Sequence, residues 1–149
     1  MSKPFSLEPI RELAKQKSDD AAISLGKLRT QESQARQTLD TLENYRSEYR
    51  QRLDQALLNG ISPADLHNYQ AFLSKLDRAV EEQKTLVQQS ETRSETGLQH
   101  WQVQTRKLKS FDVLASRERA RQEQISSRQE QRTQDEFAAS RAHFPKSYG

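Results

Sequence analysis

At 149 residues, with 32% hydrophobic and 30% charged side chains, the chain has too little apolar material for a thick globular core but enough for a narrow seam between helices. Its 24 cations and 21 anions are intermixed and leave a net charge of only +3, the pattern of a solvated coiled-coil coat rather than of a polyelectrolyte tail. Cysteine is absent, which excludes disulfide staples and thiolate metal sites. No stretch approaches the ~20 apolar residues of a membrane span, and no apolar block of signal-peptide length opens the chain. A cytoplasmic protein without membrane insertion is expected.

The first helix is predicted over residues 9–58, with Pro9 at its first turn, where proline is tolerated. Every seventh residue gives Ala14, Ala21, Leu28, Ala35, Leu42, Tyr49 and Ala56, and a companion row gives Leu25, Glu32, Leu39, Arg46 and Leu53. That is a coiled-coil seam with two charged interruptions, Glu32 and Arg46. A turn is predicted over residues 59–62. Gly60 takes the left-handed conformation that ends a helix, and Ser62, Pro63 and Asp65 start the next with a Ser-x-x-Asp capping box. So short a connection makes the two helices antiparallel neighbours.

The second helix is predicted over residues 63–141, with Leu66, Leu73, Val80, Val87, Ser94, Trp101, Leu108 and Ala115 in register. Tyr69, Leu76, Gln83, Ser90, Gly97 and Gln104 form its companion row, with Leu98 on the other flank. The stretch from Ser90 to Gly97 is its weakest part, and a bend or soft spot is expected at Gly97, since glycine costs about 1 kcal/mol against alanine inside a helix. At 1.5 Å per residue the arms are roughly 75 Å and 115 Å long, so the second overhangs the first. The overhang, residues 116–140, is nearly all Arg, Gln, Glu and Ser, with Ile125 and Phe137 its large apolar residues. Such a helix is either stabilised by a partner or frayed. Residues 142–149 read as a flexible tail. The fold class is all-α: an antiparallel two-helix coiled coil, a single long hairpin, monomeric when alone.

Catalytic and cofactor constellations are lacking. His67, His100 and His143 lie far apart without a second ligand at helical spacing, so no metal site is expected. Carboxylate neighbours such as Asp19-Asp20 and Glu81-Glu82 sit on a helix surface with no pocket to shift their pKa, and a two-helix rod has nowhere to bury a substrate. An enzyme is not expected. The cations Arg106, Lys107, Lys109, Arg117, Arg119 and Arg121 are interrupted by Asp112, Glu118 and Glu123, with no exposed aromatic between them for base stacking; they read as a solvated face and not as a nucleic-acid site.

The aromatics flanking the turn are more informative. Tyr45 and Tyr49 lie four apart on the first helix, and Phe72, Leu76, Ala79 and Gln83 run along one side of the second, at similar distances from the tip. Tyr49 and Leu76 partly enter the seam. Tyr45 and Phe72 fall outside it and are expected to be exposed together, as a partner-binding patch.

At these residues the chain resembles the FliJ family, small coiled-coil proteins of the bacterial flagellar type III export apparatus. The resemblance covers nearly the whole length and rests on an ordered set of short matches. These are Leu13-Ala14, Asp19-Asp20-Ala21-Ala22, Leu25-Gly26, Leu42, Tyr45, Glu48-Tyr49-Arg50, Asn59-Gly60-Ile61, Asn68-Tyr69-Gln70, Phe72, Leu76, Ala79 and Asp135-Glu136-Phe137. It implies a coiled coil similar to the central stalk of rotary ATPases, one that binds the hexameric export ATPase and promotes its assembly and activity. It also implies contact with the cytoplasmic region of the membrane export-gate protein, dealings with export chaperones, and a location at the inner face of the cell membrane. The gate-facing positions it implies are Leu42, Tyr45, Tyr49, Phe72, Leu76 and Ala79. The open end of the hairpin would enter the ATPase ring, presenting Arg11, Glu12 and Lys15 on the first arm with Arg106, Lys107 and Arg117 on the second. Periodicity alone leaves a generic coiled-coil scaffold or tether as the alternative, and a nucleic-acid-binding hairpin as a remote third.

Overall fold

The computed structural model describes residues 6–143, and nearly all of them are helical. Helix α1 spans Glu8–Asn59 and helix α2 spans Pro63–His143. The first begins one residue before the expected Pro9, and the second runs two residues past the expected end; the rest of the predicted tail, 144–149, lies outside the described residues. At the start of α1 the Glu8 amide donates to Ser6 Oγ at 3.4 Å, and the Arg11 amide donates to the Leu7 carbonyl at 2.8 Å. Between the helices Gly60 adopts φ 87°, where a side chain would be strained. The Asp65 amide then donates to Ser62 Oγ at 3.2 Å, which is the N-terminal cap of α2.

The described residues form two compact units: residues 17–104, and residues 6–16 with 105–143. In each, the α1 and α2 segments pack side by side along the predicted register. Taking Leu25 as an a position and Leu28 as a d position in α1, and Leu66 and Tyr69 likewise in α2, every a and d residue of the 17–104 unit is buried or half-buried. Val80 is fully buried, and Leu25, Leu76 and Val87 are nearly so. In the other unit Ala14 and Ala115 are buried, with Leu108 and Phe111 half-buried beside them. Small residues at these positions let the helices approach closely and leave a thin core.

The charged interruptions in the seam are resolved by partners. Glu32 accepts a 2.8 Å ion pair from Arg36, which also reaches Glu91 on α2 at 2.8 Å. Arg46 and Arg50 both contact Asp77 Oδ1 at 3.3 Å, and Gln83 donates from α2 to the Ala35 carbonyl at 3.0 Å. Helix α2 runs through Gly97 without interruption. The glycine serves close approach: a Cβ there would lie 2.7 Å from Leu28 Cδ1 and 3.6 Å from Leu25 Cδ1. One turn earlier Ser94 is buried with its hydroxyl unpartnered.

Candidate functional site

Two surfaces contain the expected site residues, one in each unit. In the 17–104 unit the turn at Gly60 brings Tyr45 and Tyr49 of α1 against Tyr69 and Phe72 of α2. Tyr49 and Phe72 rings lie 4.4 Å apart at 48°, and Tyr49 and Tyr69 5.2 Å apart at 47°. Tyr45 meets Phe72 edge-on at 6.1 Å and 66°, within the range where aromatic pairs add to simple burial. The four rings form one continuous aromatic cluster.

Exposure within the cluster departs from expectation in two places. Tyr45 is 47% exposed, as its position outside the seam requires. Phe72 is only half-buried rather than open, because Tyr45 and Tyr49 both lie against it. Both Tyr45 and Phe72 occupy g positions, which in an antiparallel pair face one another across the seam. Leu76 is 7% exposed and belongs to the core, so it supports the patch from beneath and offers no surface of its own. Leu42, Tyr49 and Ala79 are half-buried at the margin. Tyr69, a seam residue in the sequence pattern, is a full member of the cluster; like Tyr49 it holds a d position facing the seam close to the turn.

In the other unit Arg11 is half-buried and paired with Asp112 Oδ1 on α2 and with Glu8 at 3.4 Å. The hydrogen bond to Asp112 is the main reason its pKa is raised above the ordinary arginine value. Arg11 is therefore committed to holding α1 and α2 together, whereas Lys15, Arg106, Lys107 and Arg117 are exposed. Farther along, Arg121 pairs with Glu118 at 2.7 Å, and this hydrogen bond holds the Glu118 carboxyl below its usual range. Residues 121–142 of α2 are exposed throughout, and Arg141 lies over the Phe137 ring at 4.9 Å. Among the described residues no three histidine, aspartate or glutamate side chains gather as a metal site, and no helix is long and apolar enough to cross a membrane.

The family model described as flagellar FliJ protein matches residues 2–146. The flagellar FliJ protein of Salmonella typhi is 32% identical over 138 residues, covering 93% of this chain and 94% of that protein. Its counterpart in Escherichia coli K12 is 28% identical over 138 residues, with the same coverage of 93% and 94%. Among solved structures, the Chlamydia trachomatis protein described as a YscO homologue superposes with a TM-score of 0.67 at 17% identity, over 99% of this chain and 100% of that one. That likeness is one of fold. With the family model spanning nearly the whole sequence, the chain belongs to the flagellar FliJ protein family.

Proposed function

We propose that this protein is a non-enzymatic component of the flagellar type III export apparatus, a stalk-like coiled coil that binds the hexameric export ATPase and promotes its assembly and activity. In this reading it also contacts the cytoplasmic region of the membrane export gate through the aromatic patch and handles export chaperones, working in the cytoplasm at the inner face of the membrane. Membership of the flagellar FliJ protein family supports a place in flagellar type III export, and the named partners are part of the proposal. The observation that carries the reading is the cluster of Tyr45, Tyr49, Tyr69 and Phe72, where Tyr45 is left 47% exposed against the ring of Phe72. Exposed aromatic rings held by neighbouring rings are rigid anchors, the side chains that dominate binding energy at interfaces.

In the 6–16 and 105–143 unit, Lys15, Arg106, Lys107 and Arg117 remain free of the ion pairs that occupy Arg11, and they are assigned to the ATPase contact. Exposed charge pairs are each worth only about 0–1 kcal/mol and are screened by salt, so this contact is expected to be weak and salt-sensitive.

Co-purification with the export ATPase followed by a turnover assay tests the reading. Added protein should raise ATP turnover, and reversing the charges of Arg106, Lys107 and Arg117 should reduce that stimulation while sparing gate binding. Tyr45→Ala combined with Phe72→Ala should do the converse, abolishing gate binding and motility with helicity nearly intact. Stimulation that survives the charge reversal at low salt would leave the basic residues as mere coating. A large loss of circular-dichroism signal in the aromatic double variant would make those rings core instead of contact.

A further inference from the structure

In the unit formed by residues 6–16 and 105–143, the two sides of the helical seam differ in chemistry. On one side, e positions meet: Glu8 and Arg119 line a shared groove with Ala115 and Glu118. Arg11 is paired to Asp112 on that side, and Glu12 also lies there, at a b position. The opposite side has Ile10 of α1 and Leu114 of α2 at the g positions that meet, with Leu13 at a c position and Val113 at an f position farther out, all between 37% and 52% exposed. Val113 and Leu114 line a shallow groove together with Lys109, Ser110 and Arg117. Arg106, Lys107 and Arg117 flank this strip, and no carboxylate occupies a c, f or g position in residues 6–16 or 105–121. The strip is apolar, its margin is cationic, and the nearest acids are turned to the other side or held by arginine.

We propose that this face is the docking site for a third helix, an amphipathic segment of a partner protein with carboxylates flanking its apolar stripe. An amphipathic helix laid along this side would rest its apolar stripe, at three- and four-residue spacing, on Leu114 and the shallow α2 groove beside it and on Ile10 of α1. The cations then select an acidic partner, since a basic helix would meet like charge along its length. An anionic membrane would satisfy the same charges. The narrowness of the strip, with two apolar side chains from each helix, fits one helix better than a lipid plane. This assignment concerns the chemistry of the partner segment and holds whether or not that segment belongs to a ring ATPase.

The test uses the full chain and a synthetic, fluorescein-labelled 21-residue peptide with leucines alternately three and four residues apart and glutamates beside them. Anisotropy at low salt should show saturable binding, weakened at least tenfold by Leu114→Glu and by Lys107→Glu combined with Arg117→Glu. A photo-cross-linker at Ser110 should capture the peptide, and one at Ser116, on the acidic side, should not. Circular dichroism checks each variant; if Leu114→Glu loses helicity, the charge pair alone decides. Absence of saturable binding overturns the proposal. So does equal affinity for the peptide with lysines replacing the glutamates, or binding unchanged by the charge pair. Binding to vesicles of phosphatidylcholine and phosphatidylglycerol without binding to the peptide would reassign the face to lipid. The ATPase turnover assay is separate, so a failure here leaves the stalk reading standing, and the reverse.

Discussion

Replacing Ser94 by alanine should stabilise the protein. Ser94 sits at an a position of α2, 8% exposed, and its Oγ has no hydrogen-bond partner. A buried hydroxyl without a partner costs about 1–3 kcal/mol, and alanine is a better helix former than serine by a few tenths of a kcal/mol. Both act in the same direction, and the substitution removes one oxygen atom's volume without opening a methyl-sized cavity. The expected gain is about 1–3 kcal/mol, read as a higher urea midpoint by circular dichroism with an unchanged denaturant slope. Ser90→Ala is the control. Its Oγ donates to the Leu86 carbonyl at 2.9 Å, so no unmet hydroxyl is relieved there and its removal should bring no comparable gain. Equal midpoint shifts in the two variants, or a destabilised Ser94→Ala, would mean that the Ser94 hydroxyl is satisfied and that its burial is not a cost.

Gly97→Ala should be nearly neutral, since about 1 kcal/mol of helix propensity is offset by moving Leu28 off its rotamer for a comparable cost. In a Leu28→Ala background the same change should recover the full gain, and identical effects in the two backgrounds would refute the close contact. Hydrogen exchange should be far faster at 116–140 than at 66–87 in the isolated protein, because the former stretch has no packed seam from Gln122 onward; equal protection would show self-packing there. The Glu118–Arg121 pair should persist above the unfolded carboxylate value of about 4.3 and be lost as pH falls through the lowered folded value. A side-chain NMR titration of Glu118 with a midpoint at or above that of a free glutamate would contradict it.

The seam was legible because burial in a helical pair follows position alone. Leu25, Val80, Val87 and Ala115 lie where a seven-residue count puts them, and Gly60 turns where a helix stop meets a helix start. A register of a and d positions alone leaves Phe72 open, whereas a g residue beside large rings is half covered too. How Glu32 and Arg46 are accommodated was not legible at all. Their partnerships with Arg36, Glu91 and Asp77 depend on the stagger between helices, which periodicity within one helix does not contain. The role of Gly97 was hidden for the same reason: a glycine looks like a weakness until the leucine that fills its place is known.

The same distinction separates what folds this chain from what it can recognise. Residues at a and d are constrained by burial, so their chemistry reports the partner helix and little else. The e side of the 6–16 and 105–143 unit is likewise committed, with Arg11 held between Glu8 and Asp112. Positions at g are half covered; they can change with small effect on stability, yet they stand where a third element would touch both helices at once. Tyr45 and Phe72 occupy such positions in one unit, Ile10 and Leu114 in the other. In each case the exposed side chains are larger and more apolar than solvation of a coiled coil requires. Selection for folding alone would favour polar or charged side chains at these sites, as at most other outward positions among the described residues. Tyr45 and Phe72 in one unit, and Ile10 and Leu114 in the other, are therefore the positions where the proposed contacts can be altered with the least disturbance of the seam.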